Sequence, residues 1–170
     1  MQTLQEITTL YPDIDVNLES GSDAFREGVI IVERDPIAVI IKHPHDNSYL
    51  IAKWKQTVWN GFLTGGIEDG DTLEDTVRKE IHEETGFKSV AKVEPMDYVT
   101  HGLFFHVVKN VNRLAHYHLV YAELADLDHD EVSEEEKSIA DFVWVPKEEV
   151  LETLTRSGMK MLWQYFIEHK

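Results

Sequence analysis

A mixed α/β layer structure is predicted by three features of the sequence. These are short β-branched runs before residue 66, one capped amphipathic helix near the middle, and two helical patterns at the end. Periodicity names the class but not the fold. The chain has 170 residues, 42% of them hydrophobic and 28% charged, which is the composition of a folded globule rather than a disordered chain. Its length fits one domain with a terminal extension and a sizeable core.

In chain order, residues 1–27 are polar and weakly periodic and are read as a loosely attached arm or strand lead-in; the domain proper is placed at 28–170, including the C-terminal helices. Residues 28–32 and 36–42 are β-branched runs, and the turn-rich His43-Pro44-His45-Asp46-Asn47-Ser48 returns the chain through 49–54 as a hairpin. Residues 57–64 read as a strand ending in Gly65-Gly66, and 73–85 as a helix. Strands are expected over 94–107, 113–123 and 142–145, and helices over 147–155 and 159–169, with 126–137 an acid-rich loop.

Composition also limits function. The absence of cysteine excludes disulfides, thiolate metal sites and a cysteine nucleophile. With 32 acidic against 16 basic side chains and a formal charge of −16, the surface repels a phosphate backbone, which argues against non-specific nucleic-acid binding. The start, MQTLQEITTLYPDIDV, lacks the basic flank and apolar run of a signal peptide. The apolar runs at 29–32 and 37–41 fall far short of the about 20 residues that cross a bilayer. No membrane partner is expected, and a cytoplasmic location is.

The informative stretch is residues 65–87. Thr72 with Asp75 makes a capping pair, and Gly86 is a helix terminator. At about 100° per residue, Leu73, Val77 and Ile81 fall at about 0°, 40° and 80° and define the core stripe. Glu80 and Glu84 fall at about 340° and 20°, inside that stripe, and Glu83 at about 280°, on its margin. Carboxylates turned inward are costly unless a positive charge meets them. Arg78 points away, and Lys79 reaches only the side of Glu83. A hard divalent cation with oxygen ligands resolves the conflict; a solvated acidic helix end is the competing reading. Gly65-Gly66 adds a place where backbone can approach a ligand closely.

These residues resemble the signature of Nudix hydrolases: Gly, five residues, Glu, seven residues, Arg-Glu, an aliphatic residue, any residue, Glu-Glu, any residue, Gly, then an aliphatic or aromatic residue. The chain supplies Gly65, Glu80-Ile81, Glu83-Glu84 and Gly86-Phe87, with Asp71 in the place of Glu and Lys79 in the place of Arg. Phe142-Val143-Trp144-Val145-Pro146 before a helix is similar to the closing segment of the family. The resemblance implies an α/β/α sandwich with a mixed central sheet. It also implies hydrolysis of a nucleoside diphosphate linked to another moiety, with an ADP-ribose or nucleotide-sugar type favoured. The implied cofactor is Mg²⁺, with Mn²⁺ as the alternative. The implied partner is a small-molecule nucleotide, and a homodimer is left open. By position, Glu80, Glu83 and Glu84 are implied as metal ligands, joined by a carbonyl of the Gly65-Gly66 loop, with Gly65 named. Glu83 and Glu84 are implied as catalytic, and Glu135, from the run 133–137, is chosen as a general base against a reading of that run as solvated charge. Asp71, Lys79 and Gly66 are assigned to structural support.

Asp71 is one methylene shorter than glutamate, and Lys79 replaces a planar fork with a point charge. Those departures keep a second class open, a nucleotide-binding module with little or no turnover, acting as a sensor or an appended domain. Ala24-Phe25-Arg26, Val32-Glu33-Arg34-Asp35, Ile41-Lys42-His43 and Thr64-Gly65-Gly66-Ile67-Glu68 are also similar to Nudix-like segments associated with bacterial leucyl-tRNA synthetases. A purely structural acidic domain is the third class. Outside the signature, His116 and His118 share one strand face, read as half-buried polar surface rather than a metal pair, and His101 and His106 fall on opposite faces of another. Trp54, Trp59, Phe62, Phe104 and Phe105 are core or base-stacking candidates. Arg34, Lys53, Lys55 and Arg113 are phosphate contacts or scattered surface charge.

Overall fold

The computed structural model describes residues 2–19 and 21–170. Its elements in order are α1 (Leu4–Leu10), β1 (Asp15–Val16), β2 (Ile31–Arg34), β3 (Pro36–Lys42), β4 (Ser48–Trp54), β5 (Asn60–Gly61), β6 (Leu63–Gly66) and α2 (Leu73–Thr85). There follow β7 (Val90–His106), β8 (Val111–Leu124), α3 (Glu134–Ile139), β9 (Ala140–Pro146), α4 (Lys147–Thr153) and α5 (Ser157–His169). The strands make one mixed sheet in the order β1-β7-β8-β3-β4-β5, with β2 also on β8, β6 on β3 and β9 on β4. β3 runs parallel to β8 and antiparallel to β6 and β4.

Strand alternation builds the two faces. In β3, Ile37, Val39 and Ile41 join Val77 and Ile81 of α2 in one core, while Ala38 and Ile40 join Leu162, Trp163 and Phe166 of α5 in another. β3 is buried throughout Ile37–Ile41 because both of its faces are covered. The result is the α/β/α sandwich with a mixed central sheet. No helix is long and apolar enough to cross a membrane among the described residues.

Three local expectations change. The leading segment is not a loose arm: Thr3 and Glu6 form a capping box on α1, and Ile7 is fully buried against Leu103 and Leu114. The expected strand over 57–64 divides, because β5 pairs with β4 and β6 pairs with β3, and residues 55–58 bend instead. The acid-rich loop contains α3, whose N-cap Ser133 accepts a hydrogen bond from the Glu136 amide at 3.2 Å.

Candidate active site

The helix bearing the acids has the bounds that its sequence predicts. Thr72 Oγ1 accepts from the Asp75 amide at 3.1 Å and donates to the Asp75 carboxylate at 2.7 Å. At the other end Gly86 adopts φ 79°, and its amide donates to the His82 carbonyl at 2.8 Å. Val77 and Ile81 anchor the helix on β3 and β6. With that stripe fixed, Glu80 and Glu84 are half-buried and Glu83 is exposed at the margin.

The two half-buried carboxyls bear the electrostatic cost. Burial, then the neighbouring carboxyls of Glu80 and Glu136, push Glu84 up to about 8. Burial, then the charge of Glu83, raises Glu80 above the ordinary carboxylate range. Glu136 at the start of α3 is raised as well, by burial, Glu135 and Glu83. Lys79 offsets the rise of Glu80 only in part, its Nζ being held by Glu68 at 2.6 Å.

Gly65 lies in β6 opposite Ile37, and Glu80 packs directly on it. A Cβ at this position would stand 2.5 Å from the Glu80 carboxyl carbon and 2.8 Å from Oε1. Gly66, at the strand end, has open space around its Cα. The donor set fits a hard divalent ion: oxygen ligands only, crowded carboxyls without a compensating base, and a glycine that leaves them room beside the backbone. Among the described residues no three acidic or histidine groups converge ready to hold a metal. Coordination by all three glutamates therefore requires Glu83 to turn in from solvent.

Two contacts fall on neighbours of the expected residues. The structure pairs Lys79 with Glu68 rather than Asp71, which is exposed and contributes only a weaker charge effect on the lysine. The short Asp71 side chain leaves the lysine to the longer acid three residues earlier, whose carbonyl accepts from the Asp71 amide at 3.1 Å. Glu135 is exposed, and the α3 acid that feels the helix carboxyls is Glu136. The Ser133 cap places residues 134–136 in the first helical turn, and reading it would have shown that the acids of this run face different ways.

Gly65 and Gly66 line a cleft of about 880 Å³, which Glu80, Glu83 and Glu84 do not line. Trp54, Trp59, Phe104 and Tyr117 are on its wall, and the Trp59 and Phe104 rings meet edge-on with centroids 5.4 Å apart. Phe62, by contrast, is fully buried core, and Phe105 is 1% exposed beneath the Arg26 guanidinium. Arg34 and Arg113 reach the cleft; Lys53 is exposed elsewhere, and Lys55 pairs with Asp141 at 3.1 Å.

The histidines form a chain that the sequence did not reveal. His101 and His116 are register partners across β7 and β8, with their Nδ1 atoms 2.7 Å apart, and His116 Nε2 lies 2.7 Å from Glu33. His118 lies 3.1 Å from Asp35. His116 is buried while His118 is half-buried, so the shared strand face is polar and partly covered.

A mixed sheet with α2 on one face and α4 and α5 on the other, and acids set against a glycine strand, define a Nudix architecture. The NUDIX domain model matches residues 25–164, and the chain belongs to that family. No curated protein matches it. Among solved structures, it is similar to the Escherichia coli dihydroneopterin triphosphate pyrophosphohydrolase, at 12% identity and TM-score 0.61, with 80% of this chain and 96% of that one covered. It is likewise similar to the NUDIX domain of Shewanella oneidensis NrtR complexed with ADP ribose, at 15% identity and TM-score 0.57, covering 82% and 90%. A MutT protein from Bacillus halodurans follows at 21% identity and TM-score 0.55, covering 77% and 80%. Likeness at these identities establishes the fold.

Proposed function

We propose that the protein hydrolyses the diphosphate linkage of a nucleoside diphosphate derivative, with Mg²⁺ or Mn²⁺ as cofactor. The observation that carries the reading is the meeting of crowded, half-buried Glu80 and Glu84 with Gly65, at the edge of a cleft with aromatic walls. Glu80, Glu83 and Glu84 would hold the cation, with the Gly65 carbonyl as a further oxygen donor. Such an ion supplies charge neutralisation on the diphosphate and a lowered pKa for water. Glu136 is the acid of α3 that would take a proton, and burial with the neighbouring charges of Glu135 and Glu83 raises its affinity for one. Glu68 and Lys79 tie the loop after β6 to α2 and so keep the glycine edge in place. Trp59 and Phe104 offer a stacking surface for the base. The Shewanella domain described with ADP ribose supports a substrate of the ADP-ribose or nucleotide-sugar type, and the pyrophosphohydrolase among the similar folds supports cleavage of a phosphoanhydride.

The outward position of Glu83 and the Lys79–Glu68 pairing favour one second reading, a module that binds the nucleotide with little turnover. Phosphate release from a panel of nucleotide sugars, dinucleotides and nucleoside triphosphates with Mg²⁺ separates the two. For the enzyme, Glu84→Gln should lose about a hundredfold or more in kcat/KM, and Glu136→Gln should lose more than Glu135→Gln. Full activity in Glu84→Gln rejects the assignment of the metal site. Turnover of no substrate in the panel, with nucleotide binding retained, selects the module. A cytoplasmic location is part of the same proposal.

A further inference from the structure

In a chain with twice as many acidic as basic side chains, an arginine normally finds a carboxylate, yet Arg34 and Arg113 have none within 4.0 Å among the described residues. The topology explains why. Arg34 lies between Glu33 and Asp35 in the chain, but those acids are committed to His116 and His118 of β8 at 2.7 and 3.1 Å. Strand alternation sends Arg34 to the other face, where its hydrogen bond goes only to the neighbouring Glu33 carbonyl at 3.1 Å. Arg113 is two positions behind Ala115, the register partner of Arg34, and stands beside Phe104 across the β7–β8 ladder. Its Nε is buried without a hydrogen-bond partner. Both guanidinium groups reach the same cleft, close enough that the charge of Arg34, after burial, disfavours protonation of Arg113. Of the acidic groups that line the cleft, Asp15 is taken by Arg156 and Asp35 by His118, and Asp23, whose Oδ2 is buried without a hydrogen-bond partner, pairs with neither arginine.

The part-buried Arg113 guanidinium, with an unpartnered Nε and a second positive charge beside it, is costly unless an anion joins the pair, and the planar forks of both arginines match phosphoryl oxygens. Arg34 is two residues before Pro36, whose register partner is Gly66, so the pair sits about two strand residues, ~7 Å, from the glycine edge. We infer that Arg34 and Arg113 are a phosphoryl-binding clamp that engages the nucleotide independently of the metal ion, adjacent to the Trp59–Phe104 stacking surface. This deepens the proposed function and rests on its assignment of the cleft to a phosphorylated nucleotide. The clamped phosphoryl belongs either to the diphosphate under attack or to a further phosphate on the linked moiety.

Calorimetric titration of the full chain with pyrophosphate in EDTA tests the clamp without using turnover. Wild type should bind, Arg34→Gln and Arg113→Gln should each weaken binding by about tenfold or more, and Glu84→Gln should retain it. Arg34 is exposed, so its replacement leaves the core intact even where Arg113→Gln unfolds. No binding by wild type without metal, or unchanged binding in Arg34→Gln, overturns the clamp. A failed clamp with active enzyme leaves the hydrolase reading standing, and metal-free binding without turnover does the reverse. KM values for substrates with and without a phosphate outside the diphosphate then assign the source: a rise for both in Arg34→Gln places the scissile diphosphate in the clamp, and a rise for the phosphorylated one alone places the second phosphate there.

Discussion

Gly65 packs against Glu80 and also lines the cleft. Because the atoms that a methyl group would strike belong to a flexible side chain, Gly65→Ala should fold and move the Glu80 carboxylate rather than the strand. Titration with Mn²⁺ should then show about tenfold weaker binding, with little change in melting temperature. Glu84 gives a second expectation at this scale. Its carboxyl protonates near 4.5 when unfolded and at about 8 in the native state. Between those values the native state binds more protons than the unfolded one, so metal-free stability falls as pH rises through that window and is highest below it. The shift corresponds to a few kcal/mol. Thermal melts in EDTA between pH 5 and about 8 should therefore show a steeper fall for wild type than for Glu84→Gln; equal slopes would remove Glu84 as the source.

Among the elements, α2 was the most legible, because its capping pair, apolar spacing and terminal glycine are all local signals. Gly86 answers to a tertiary constraint as well. Its carbonyl accepts from the Asp130 amide at 2.8 Å, and a Cβ at its position would collide with the Asp130 carbonyl. Gly86→Ala should thus cost about 1–3 kcal/mol in chemical denaturation, from left-handed backbone strain plus that collision. Two pairings were not legible. Lys79 chooses Glu68 over Asp71 through the shape of a loop, and it is Glu136 rather than Glu135 that feels the α2 carboxyls, through the phase of a six-residue helix. The division of 57–64 between two partner strands was hidden for the same reason, since a partner change leaves no mark in a run of β-forming residues. The histidine chain and the arginine pair depend on the register of β8 with β7 and with the far-off β2, and no spacing within any one strand encodes it.

At the scale of the molecule, the leading helix belongs to the packed body. Ile7 is fully buried with Leu103 and Leu114, and Tyr11 lies against His101 with ring centroids 4.2 Å apart. Ile7→Ala should cost about 2–5 kcal/mol in urea denaturation, whereas a detached arm would show no change. The fold class was readable because both faces of the sheet are encoded by alternation, while the leading segment was misread because its helix is only seven residues long and mostly exposed. Asp15 and Arg156 are joined by two side-chain hydrogen bonds across 141 positions of sequence, and both border the cleft. On the ribosome, α2 and its acids emerge long before that arginine does. A nascent chain can thus carry the acid-bearing helix while the cleft still lacks the part of its wall that Arg156 supplies.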